Sequence, residues 1–453
     1  MTDKRRTPLP RRSGVSRFPG PDERNQRARR GAIVLTTVGS LGDLYPILSI
    51  AASLEEMGVE TRLLLSPDDC EVARSWGLLA TPVGPSRAQV CAAMGQTEDE
   101  MAAAFFRNPL PFLRRVAIPS MTDVMPEIEL ACVGAACVAG TFLAFGGAFA
   151  AEKARLPYVP LQLQPLLTYS ALQPARGPGF DLMARTPDNW IKRGWNRAIL
   201  SGLRCVIGLG LRAPVNRLRT DLGLPPFAGT PLVDVGGAAV PLRLGLWSGT
   251  FATVPSDAPP GLRAVGFPRS PLGDLPREVQ DWLDAGSPPL VITLGSVAQG
   301  LAGSDFYGRA IALARAMGLR AVVLHGKTPP PASAPDILAL RGLSHAPLFP
   351  QAAAILHHGG IGTTGEALRA GRPQFVVPIG GDQPDNAARL SDLGLAVSLS
   401  PKRFKPARAV PLMRNLLDRF DYAAASELAE HIGAEDGARA AALQLAQVAS
   451  LRD

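Results

Sequence analysis

The chain has 453 residues, of which 46% are hydrophobic and 19% are charged. This composition is typical of globular proteins and excludes a mainly disordered chain. Five scattered cysteines, with no CxxC pair and no Cys/His cluster, exclude a disulfide scaffold and favour a reducing, cytoplasmic compartment. The length allows two or three domains.

The net charge of +8 is concentrated at the amino terminus. Residues 1–30 contain ten basic and three acidic side chains, which leaves a net charge of +1 for the other 423 residues. This segment is also rich in Pro, Gly and polar residues, so we expect a disordered basic tail. No apolar stretch follows its arginines, and a secretory signal peptide is therefore not predicted.

One uncharged segment, residues 130–151, is long enough to cross a bilayer. Its pattern instead favours a short buried strand around Ala135–Val138, a break at Gly140-Thr141, and a helix of small residues that ends near Glu152-Lys153. We therefore expect a strand and a helix of a parallel sheet here.

The first half of the chain opens with a βαβ pattern. An apolar strand at Ala32–Thr37 runs into the loop Val38-Gly39-Ser40-Leu41-Gly42-Asp43, which is followed by Pro46 and a helix predicted over Ile47–Met57. The next strand is predicted at Glu60–Leu65. A glycine-containing turn at the carboxyl end of the first strand is typical of nucleotide-binding α/β folds.

The second half repeats the alternation after a Pro-rich break. Residues 266–289 are predicted to be an interdomain linker with one short helix, and strands are predicted at Leu290–Leu294, Ala321–Leu324 and Ala353–Leu356. We expect an α/β protein with an amino-terminal domain at 31–265, a carboxyl-terminal domain at 290–430, and a final helix at 431–453 that packs back toward the first domain.

The densest motif lies at residues 357–386. It begins His357-His358-Gly359-Gly360-Ile361-Gly362-Thr363-Thr364-Gly365-Glu366 and continues to Gly380-Gly381-Asp382-Gln383-Pro384-Asp385-Asn386. A strand, a glycine loop and a helix starting near Gly362 predict an anion site, because unpaired N–H groups at a helix start attract phosphate. His358 and the threonines can donate hydrogen bonds, while Glu366 and Asp382 can accept them from sugar hydroxyls.

Other interpretations of this motif stay open. The motif also matches the dinucleotide fingerprint, with glycines at Gly360, Gly362 and Gly365 and with Asp382 near the usual acidic position. This match would indicate an NAD(P)-binding oxidoreductase. That fingerprint normally follows the first strand of a domain and lacks a histidine pair. A sugar-nucleotide epimerase and a non-catalytic binding protein are further alternatives.

The segment 357–386 resembles the donor-binding signature of the inverting family 1 glycosyltransferases, which use nucleotide sugars and have the GT-B fold. Val38 to Pro46 resembles the opening of their acceptor domain, and Trp282 to Ser296 resembles their linker and first donor-domain strand. The resemblance extends from residue 31 to about 450 and implies two Rossmann-like domains facing each other across a cleft. Within the family, the bacterial rhamnosyltransferase and the sterol and polyketide glucosyltransferase branches are most similar.

The resemblance also implies roles for individual residues. His358, Gly360, Gly362, Thr363 and Thr364 would hold the diphosphate, with Ser296 beside them. Glu366 would bind the ribose, and Asp382 and Gln383 the donor sugar. His345 stands where an aromatic residue usually stacks on the base.

Asp43 takes the place of the catalytic histidine of plant members, and the aspartate that would orient that histidine is missing near Gly140. A carboxylate base needs no partner to fix a tautomer, so we predict that Asp43 deprotonates the acceptor hydroxyl. The alternative is that Asp43 caps a helix before Pro46. The sequence has no Asp-x-Asp motif, and neither a metal ion nor a cofactor is predicted, since the nucleotide sugar is a co-substrate.

The acceptor is predicted to be a lipophilic small molecule. Apolar residues near variable loops are candidates for its pocket, although each could equally be core: Phe105, Phe106, Leu166 and Tyr169. The resemblance to the rhamnosyltransferase branch favours a hydroxyalkanoyl lipid as acceptor and dTDP-rhamnose as donor. The resemblance to the other branches implies the alternative, a sterol or polyketide with a UDP-glucose type of donor. We expect a cytoplasmic enzyme with peripheral contact to the inner face of the cell membrane, and no nucleic-acid partner.

Overall fold

The computed structural model describes residues 31–177, 180–236, 240–269, 273–295, 301–303, 305–332 and 334–451. The predicted tail at residues 1–30 and the predicted donor-binding residue Ser296 lie outside this described part.

Within the described residues, the first half forms a seven-stranded parallel sheet in the order β3-β2-β1-β4-β5-β6-β7. Its strands are β1 (Ala32–Thr36), β2 (Thr61–Leu65), β3 (Ala80–Pro82), β4 (Ala135–Gly140), β5 (Tyr158–Gln162), β6 (Arg243–Gly245) and β7 (Leu262–Ala264). The fully buried β1 lies in the centre, where Val34 pairs with Arg62 on one side and with Val138 on the other. Helices cover both faces, as a parallel sheet requires.

The helices of this half differ widely in length. They are α1 (Leu41–Glu56), α2 (Pro67–Ser75), α3 (Arg87–Met94), α4 (Glu98–Arg107), α5 (Leu110–Phe112, continued by a π-helical turn at Leu113–Ala117), α6 (Met121–Cys132), α7 (Phe145–Ala154) and α8 (Trp190–Asp221). A 3-10 turn at Pro165–Thr168 follows β5. The 32 residues of α8 make one continuous helix, with Pro214 inside it.

Within the described residues, the second half forms a six-stranded parallel sheet in the order β10-β9-β8-β11-β12-β13. Its strands are β8 (Leu290–Thr293), β9 (Ala321–Leu324), β10 (Ile337–Leu340), β11 (Ala354–His357), β12 (Gln374–Val376) and β13 (Ala396–Ser398). Its helices are α9 (Arg277–Asp284), α10 (Phe306–Ala316), α11 (His345–Leu348, continued by a 3-10 turn at Phe349–Gln351), α12 (Ile361–Ala370), α13 (Gln383–Asp392), α14 (Pro406–Arg419), α15 (Tyr422–Ala434) and α16 (Gly437–Ser450).

The two halves share one large apolar core. Phe251 of the first half and Phe267 of the connecting segment approach to 5.7 Å between ring centroids. The last helix, α16, packs against α1 and β4 of the first half. Residues from both sheets therefore belong to a single buried cluster.

The uncharged segment 130–151 folds as its pattern predicts. It contains the end of α6, all of β4 and most of α7, and both β4 and the apolar part of α7 are buried. The interpretation as a buried strand and helix is confirmed.

The start of α1 is a correction to the sequence analysis. The helix begins at Leu41 and not at Ile47, because Ser40 caps it and Asp43 completes a capping box. Pro46 lies inside the helix, where its missing N–H group removes one hydrogen bond. The capping box stabilises the first turn and offsets that loss.

Candidate active site

The first glycine loop follows β11, at the carboxyl edge of the second sheet. β11 ends at His357, and α12 begins at Ile361 with Gly360 as its N-cap residue. Gly360 offers no capping side chain, and the first N–H groups of a helix have no intrahelical partner. A Cβ on Gly362 would have open space around it. The loop therefore combines anion-attracting N–H groups with room for a ligand.

The two adjacent histidines have different environments. His357 is fully buried: its Nδ1 accepts from the N–H of Gly359 (3.1 Å) and its Nε2 pairs with Gln374 Oε1 (3.0 Å). Both ring nitrogens are thus used within the protein. Burial lowers the pKa of His357 to about 4, so the ring is neutral and holds the loop in place.

His358 is packed between two glycines. A Cβ on Gly360 would lie 2.4 Å from His358 Nε2, and a Cβ on Gly295 would lie 2.7 Å from its Cε1. Burial lowers the pKa of His358 to about 3, so the imidazole is neutral at physiological pH. Its Nδ1 is buried and has no hydrogen-bond partner among the described residues. Buried polar atoms rarely stay unpaired, and a ligand oxygen would satisfy this one.

The two threonines of the loop are also buried. Thr364 Oγ1 has no hydrogen-bond partner in the part of the chain that the structure describes, and Thr363 is 8% exposed. His358 and Thr364 therefore present two unsatisfied polar groups at the start of α12. This pair of groups is what a diphosphate could engage.

Glu366 lies one turn further along α12. Its Oε1 accepts from Arg369 (3.0 Å), and Arg369 also donates to the carbonyl of Phe267 (2.6 Å) in the connecting segment. Arg369 is not among the residues predicted from the sequence, although its spacing of three residues from Glu366 on a helix was a usable signal. If a ribose binds Glu366, it binds a carboxylate whose position is already fixed by the Arg369 guanidinium.

The second loop, residues 379–382, leads into α13. Gln383 Oε1 accepts from the N–H groups of Ile379 (2.8 Å) and Gly380 (3.2 Å). The amide oxygen of Gln383 thus accepts hydrogen bonds from its own loop. Its Nε2 is the side-chain atom that remains available to donate to a donor sugar. Asp382 precedes it, with Oδ2 accepting from Asn386 Nδ2 (2.7 Å).

Asn386 joins the two loops, a role that the sequence analysis did not assign. Besides Asp382, its Nδ2 donates to the carbonyl of Gly359 (2.9 Å), and the residue is completely buried. Asn386 lies four residues after Asp382 on a helix, and this spacing places both side chains on one face. It therefore fixes the position of the Asp382 carboxylate relative to the glycine loop.

Asp43 lies at the start of α1, at the carboxyl edge of the first sheet. Its Oδ2 accepts from the N–H (2.7 Å) and the Oγ (2.9 Å) of Ser40. Gly39 has φ +154°, and a Cβ there would lie 2.4 Å from Asp43 Oδ2, so only glycine leaves room for the carboxylate. Burial raises the pKa of Asp43, and the hydrogen bonds from Ser40 oppose that rise.

The alternative prediction, that Asp43 is the residue that caps the helix, is wrong. The N-cap residue is Ser40, and Asp43 is the third helical residue, whose carboxylate bonds back to the cap. Within the described ranges Oδ1 of Asp43 has no hydrogen-bond partner, which leaves one oxygen available to a ligand.

Asp382 senses charges from both halves of the chain. Burial raises the pKa of Asp382 to about 7, and the charges of Asp43 in the first half and Asp385 in the second add to that rise. A carboxylate with a raised pKa in a cleft is a candidate for proton transfer or ligand recognition.

Replacing Asp382 with asparagine should change how stability depends on pH. The folded-state pKa of about 7 exceeds the ordinary 3.8, so between these values the folded state binds more protons than the unfolded state. The free energy of unfolding therefore falls as pH rises through this range, owing to this group. Urea unfolding at a series of pH values should show that the free energy of unfolding of Asp382→Asn, relative to that of the wild type, increases above pH 4. This difference should become constant above pH 7. If the free energy of unfolding depended on pH in the same way in both proteins, the raised pKa of Asp382 would be contradicted.

Phe106, one of the candidate pocket residues, reaches the second loop. The ring of Phe106, from α4, lies against the Gly380-Gly381 turn, where a Cβ on Gly381 would be 3.0 Å from Phe106 Cε1. Phe105 instead packs edge-on against Phe112 at 5.7 Å, and Tyr169 packs into a small cluster beside α8. For these two residues the structure favours the core interpretation. Leu166 is half-buried on the 3-10 turn after β5.

His345 begins α11 and stacks on Phe349, with ring centroids 4.5 Å apart and an interplanar angle of 12°. One face of the imidazole is thus covered by the protein itself. Burial lowers the pKa of His345 to about 4, so the ring is neutral. A nucleobase that stacks here would have to use the other face.

The two halves are also joined beside the second loop. The N–H of Arg176 donates to Asp385 Oδ1 (2.9 Å), and the guanidinium of Arg176 pairs with Asp392 (2.6 Å). Further along, Lys327 pairs with Glu98 at the start of α4 (2.6 Å). These contacts attach the first half to α13 and to the loop after β9.

Comparisons with known proteins agree with this geometry. The family model described as "Erythromycin biosynthesis protein CIII-like, C-terminal domain" matches residues 326–446. The vancomycin aglycone glucosyltransferase of Amycolatopsis orientalis is 31% identical over 383 residues, covering 81% of this chain and 85% of the relative. The sterol 3-beta-glucosyltransferase of Arabidopsis thaliana is 26% identical over 425 residues, covering 89% of this chain and 63% of the relative. The solved glycosyltransferase VinC in complex with dTDP aligns with a TM-score of 0.61 and 21% identity over 92% of this chain and 100% of that one.

Two Rossmann-like parallel sheets joined in this way define the GT-B class of fold, as the alignment with VinC also shows. The relatives are enzymes that transfer glycosyl groups. The chain belongs to the family 1 nucleotide-sugar glycosyltransferases, which confirms the resemblance seen in residues 357–386.

Proposed function

We propose that this enzyme transfers a hexose from a nucleoside-diphosphate sugar to a hydroxyl of a lipophilic acceptor, with inversion at the anomeric carbon. The observation that carries the proposal is the glycine loop before α12, where the buried His358 Nδ1 and Thr364 Oγ1 have no hydrogen-bond partner among the described residues. Asn386 holds the Asp382 carboxylate against this loop, and Asp43 lies at the carboxyl edge of the first sheet. A base, a sugar-binding group and a diphosphate site are what such a transfer requires.

In the proposed reaction the acceptor hydroxyl gives its proton to Asp43 as its oxygen attacks the anomeric carbon. The bond from that carbon to the diphosphate oxygen breaks, and the nucleoside diphosphate leaves with the electron pair. A single displacement of this kind inverts the anomeric configuration. The raised pKa of Asp43 suits it to receive a proton, because an efficient general base has a pKa near the working pH.

The leaving diphosphate would be stabilised without a metal ion. The N–H groups at the start of α12, the Thr364 hydroxyl and the neutral His358 imidazole can all donate to its oxygens. Fixed donors in a buried site stabilise developing negative charge effectively, because they need no reorganisation during the reaction. The interdomain contacts of Arg176 and Phe106 would exclude water that could otherwise hydrolyse the donor.

Two pairs of donor and acceptor classes fit this reaction. The first is a hydroxyalkanoyl lipid with dTDP-rhamnose, which the resemblance of Asp382-Gln383-x-Asp385-Asn386 to the rhamnosyltransferase branch favours. The second is a sterol or polyketide with UDP-glucose or a related donor. The similarity to the vancomycin aglycone and sterol glucosyltransferases favours this natural-product class, while the dTDP bound to VinC supports a thymidine donor. The proposed location is the cytoplasm, at the inner face of the membrane.

Thermal unfolding with dTDP, UDP and NAD⁺ side by side tests the donor class. A ligand at a hundred times its Kd stabilises the folded state by about 2.7 kcal/mol, which shifts the melting temperature measurably. We expect dTDP or UDP to stabilise the protein and NAD⁺ to have no effect. Stabilisation by NAD⁺ alone would favour the dinucleotide interpretation of residues 360–365. With the better donor, a product of retained anomeric configuration would contradict the single displacement.

A further inference from the structure

The long helix α8 presents an apolar face to solvent. Its outward side chains recur every three or four residues, which is the spacing of one helix face. These exposed positions are Ile191, Trp195, Ala198, Gly202, Val206 and Leu209. The four large side chains among them are between 54% and 79% exposed, and Trp190 at the start of the helix is 81% exposed. A contiguous exposed apolar stripe of this length normally marks an interaction surface.

The opposite side of α8 is attached to the first half along its length. Leu200, Leu211 and Leu218 are buried in its apolar clusters. The side chain of Asn196 accepts from the N–H of Ala184 (2.7 Å) and donates to the carbonyl of Ala171 (3.0 Å). By length and composition α8 is the only helix among the described residues that could cross a membrane. Its packing instead means that it lies on the domain surface.

The charges beside the apolar face are almost all positive. Arg197, Arg212 and Arg217 are exposed and make no ion pair with any described residue. Lys192 and Arg204 are paired with Asp188 and Asp234, which lie outside the helix. The single acidic residue of α8, Asp221, is its last residue. The stripe is thus bordered by several cations that lack an acidic partner in the described part of the chain.

We propose that this face of α8 lies flat on a membrane of anionic lipids, with the apolar stripe in the headgroup region and the arginines on lipid phosphates. A helix that lies in a membrane interface typically has tryptophan and leucine on one face and arginine at the borders of that face. A second copy of this chain is a poorer occupant, because pairing the face with itself would bring two rows of arginines together. Anionic lipid neutralises those charges. At 1.5 Å per residue, the stripe from Ile191 to Leu209 offers a contact about 27 Å long.

Sedimentation of the full chain with vesicles tests this surface. We expect binding to phosphatidylglycerol vesicles, weak binding to phosphatidylcholine vesicles, and weaker binding to phosphatidylglycerol at high salt. The triple variant Ile191→Ser, Trp195→Ser and Leu209→Ser should bind phosphatidylglycerol vesicles at least about tenfold more weakly, because it loses the inserted apolar area. The variant Arg197→Gln, Arg212→Gln and Arg217→Gln should bind more weakly and lose much of the salt dependence.

The control variant changes exposed apolar residues elsewhere: Leu79→Ser, Leu443→Ser and Leu451→Ser. It should bind like the wild type. All variants retain the basic residues 1–30, so a difference between them comes from α8. Equal binding by every variant would overturn the proposal. So would a wild-type dimer that the apolar variant converts to a monomer, with no vesicle binding in either.

A cooperative thermal unfolding transition of each variant, measured without ligand, shows whether it is folded. Vesicle binding is measured without donor or acceptor, so its failure would leave the proposed transfer reaction untouched, and failure of that reaction would leave the lipid surface untouched.

Discussion

Replacing Asp43 with asparagine should slow glycosyl transfer by about two to four orders of magnitude while leaving donor binding unchanged. The amide cannot accept the acceptor proton, but its oxygen can still accept the hydrogen bonds from Ser40 that hold the side chain in place. Steady-state rates at saturating donor, together with nucleotide thermal shifts, separate the two effects.

Glu100 offers a matched control for this substitution. It completes a capping box at the start of α4, accepting from the N–H (2.9 Å) and the Oγ1 (3.0 Å) of Thr97, as Asp43 does with Ser40. Glu100→Gln therefore changes the same local interaction at a residue that has no proposed part in the reaction, and its rate should stay near that of the wild type. Near-normal turnover by Asp43→Asn would remove Asp43 from the mechanism. Equal losses in both variants would assign the effect to capping alone.

Replacing Gly360 with alanine should reduce the transfer rate by about two to three orders of magnitude, as removal of one fixed donor to a developing anion does. The backbone at Gly360 (φ −63°, ψ 142°) is accessible to alanine, so backbone strain is not the cause. The added methyl group would lie 2.4 Å from His358 Nε2 and must push the imidazole aside. Nucleotide binding should weaken as well, because His358 is predicted to hold the diphosphate.

The controls for Gly360→Ala use other glycines in helices. Gly194, on α8, would have open space around an added methyl group and lies far along the chain from the loop, so Gly194→Ala should bind nucleotide normally. Gly362→Ala should unfold like the wild type, because its methyl group would contact no protein atom. It should bind nucleotide poorly, because the methyl group would occupy the space proposed for the diphosphate. Normal binding by Gly360→Ala would show that the position of His358 does not matter.

The glycine loop at 357–366 was predictable because a short apolar strand, clustered glycines and a helix pattern follow each other directly. The different roles of the two histidines were not predictable, since they depend on Gln374 and Gly295, which are distant in sequence. The same holds for Gln383, whose amide oxygen binds its own loop. The true start of α1 was hidden by Pro46, which usually indicates a helix boundary.

The apolar pattern of α8 shows another limit of periodicity. A helix with apolar residues on two sides gives no indication of which side is buried, and only the packing of the first half decides it. Strands of three residues, such as β3, β6 and β7, are too short for alternation to be seen. Their pairing depends on the neighbouring longer strands.

The packing of α16 on α1 has a consequence for synthesis of the chain. The helix that carries Asp43 shares its buried cluster with Ala441 and Leu445, about 400 residues later. During synthesis, α1 can pack on β1 and β2 but lacks its contact with α16 until residues 437–450 have been made. The first sheet can form early, but the helix bearing the proposed base becomes fully packed only when α16 is available. Full packing of the half that carries Asp43 thus depends on a helix that is synthesised about 400 residues later.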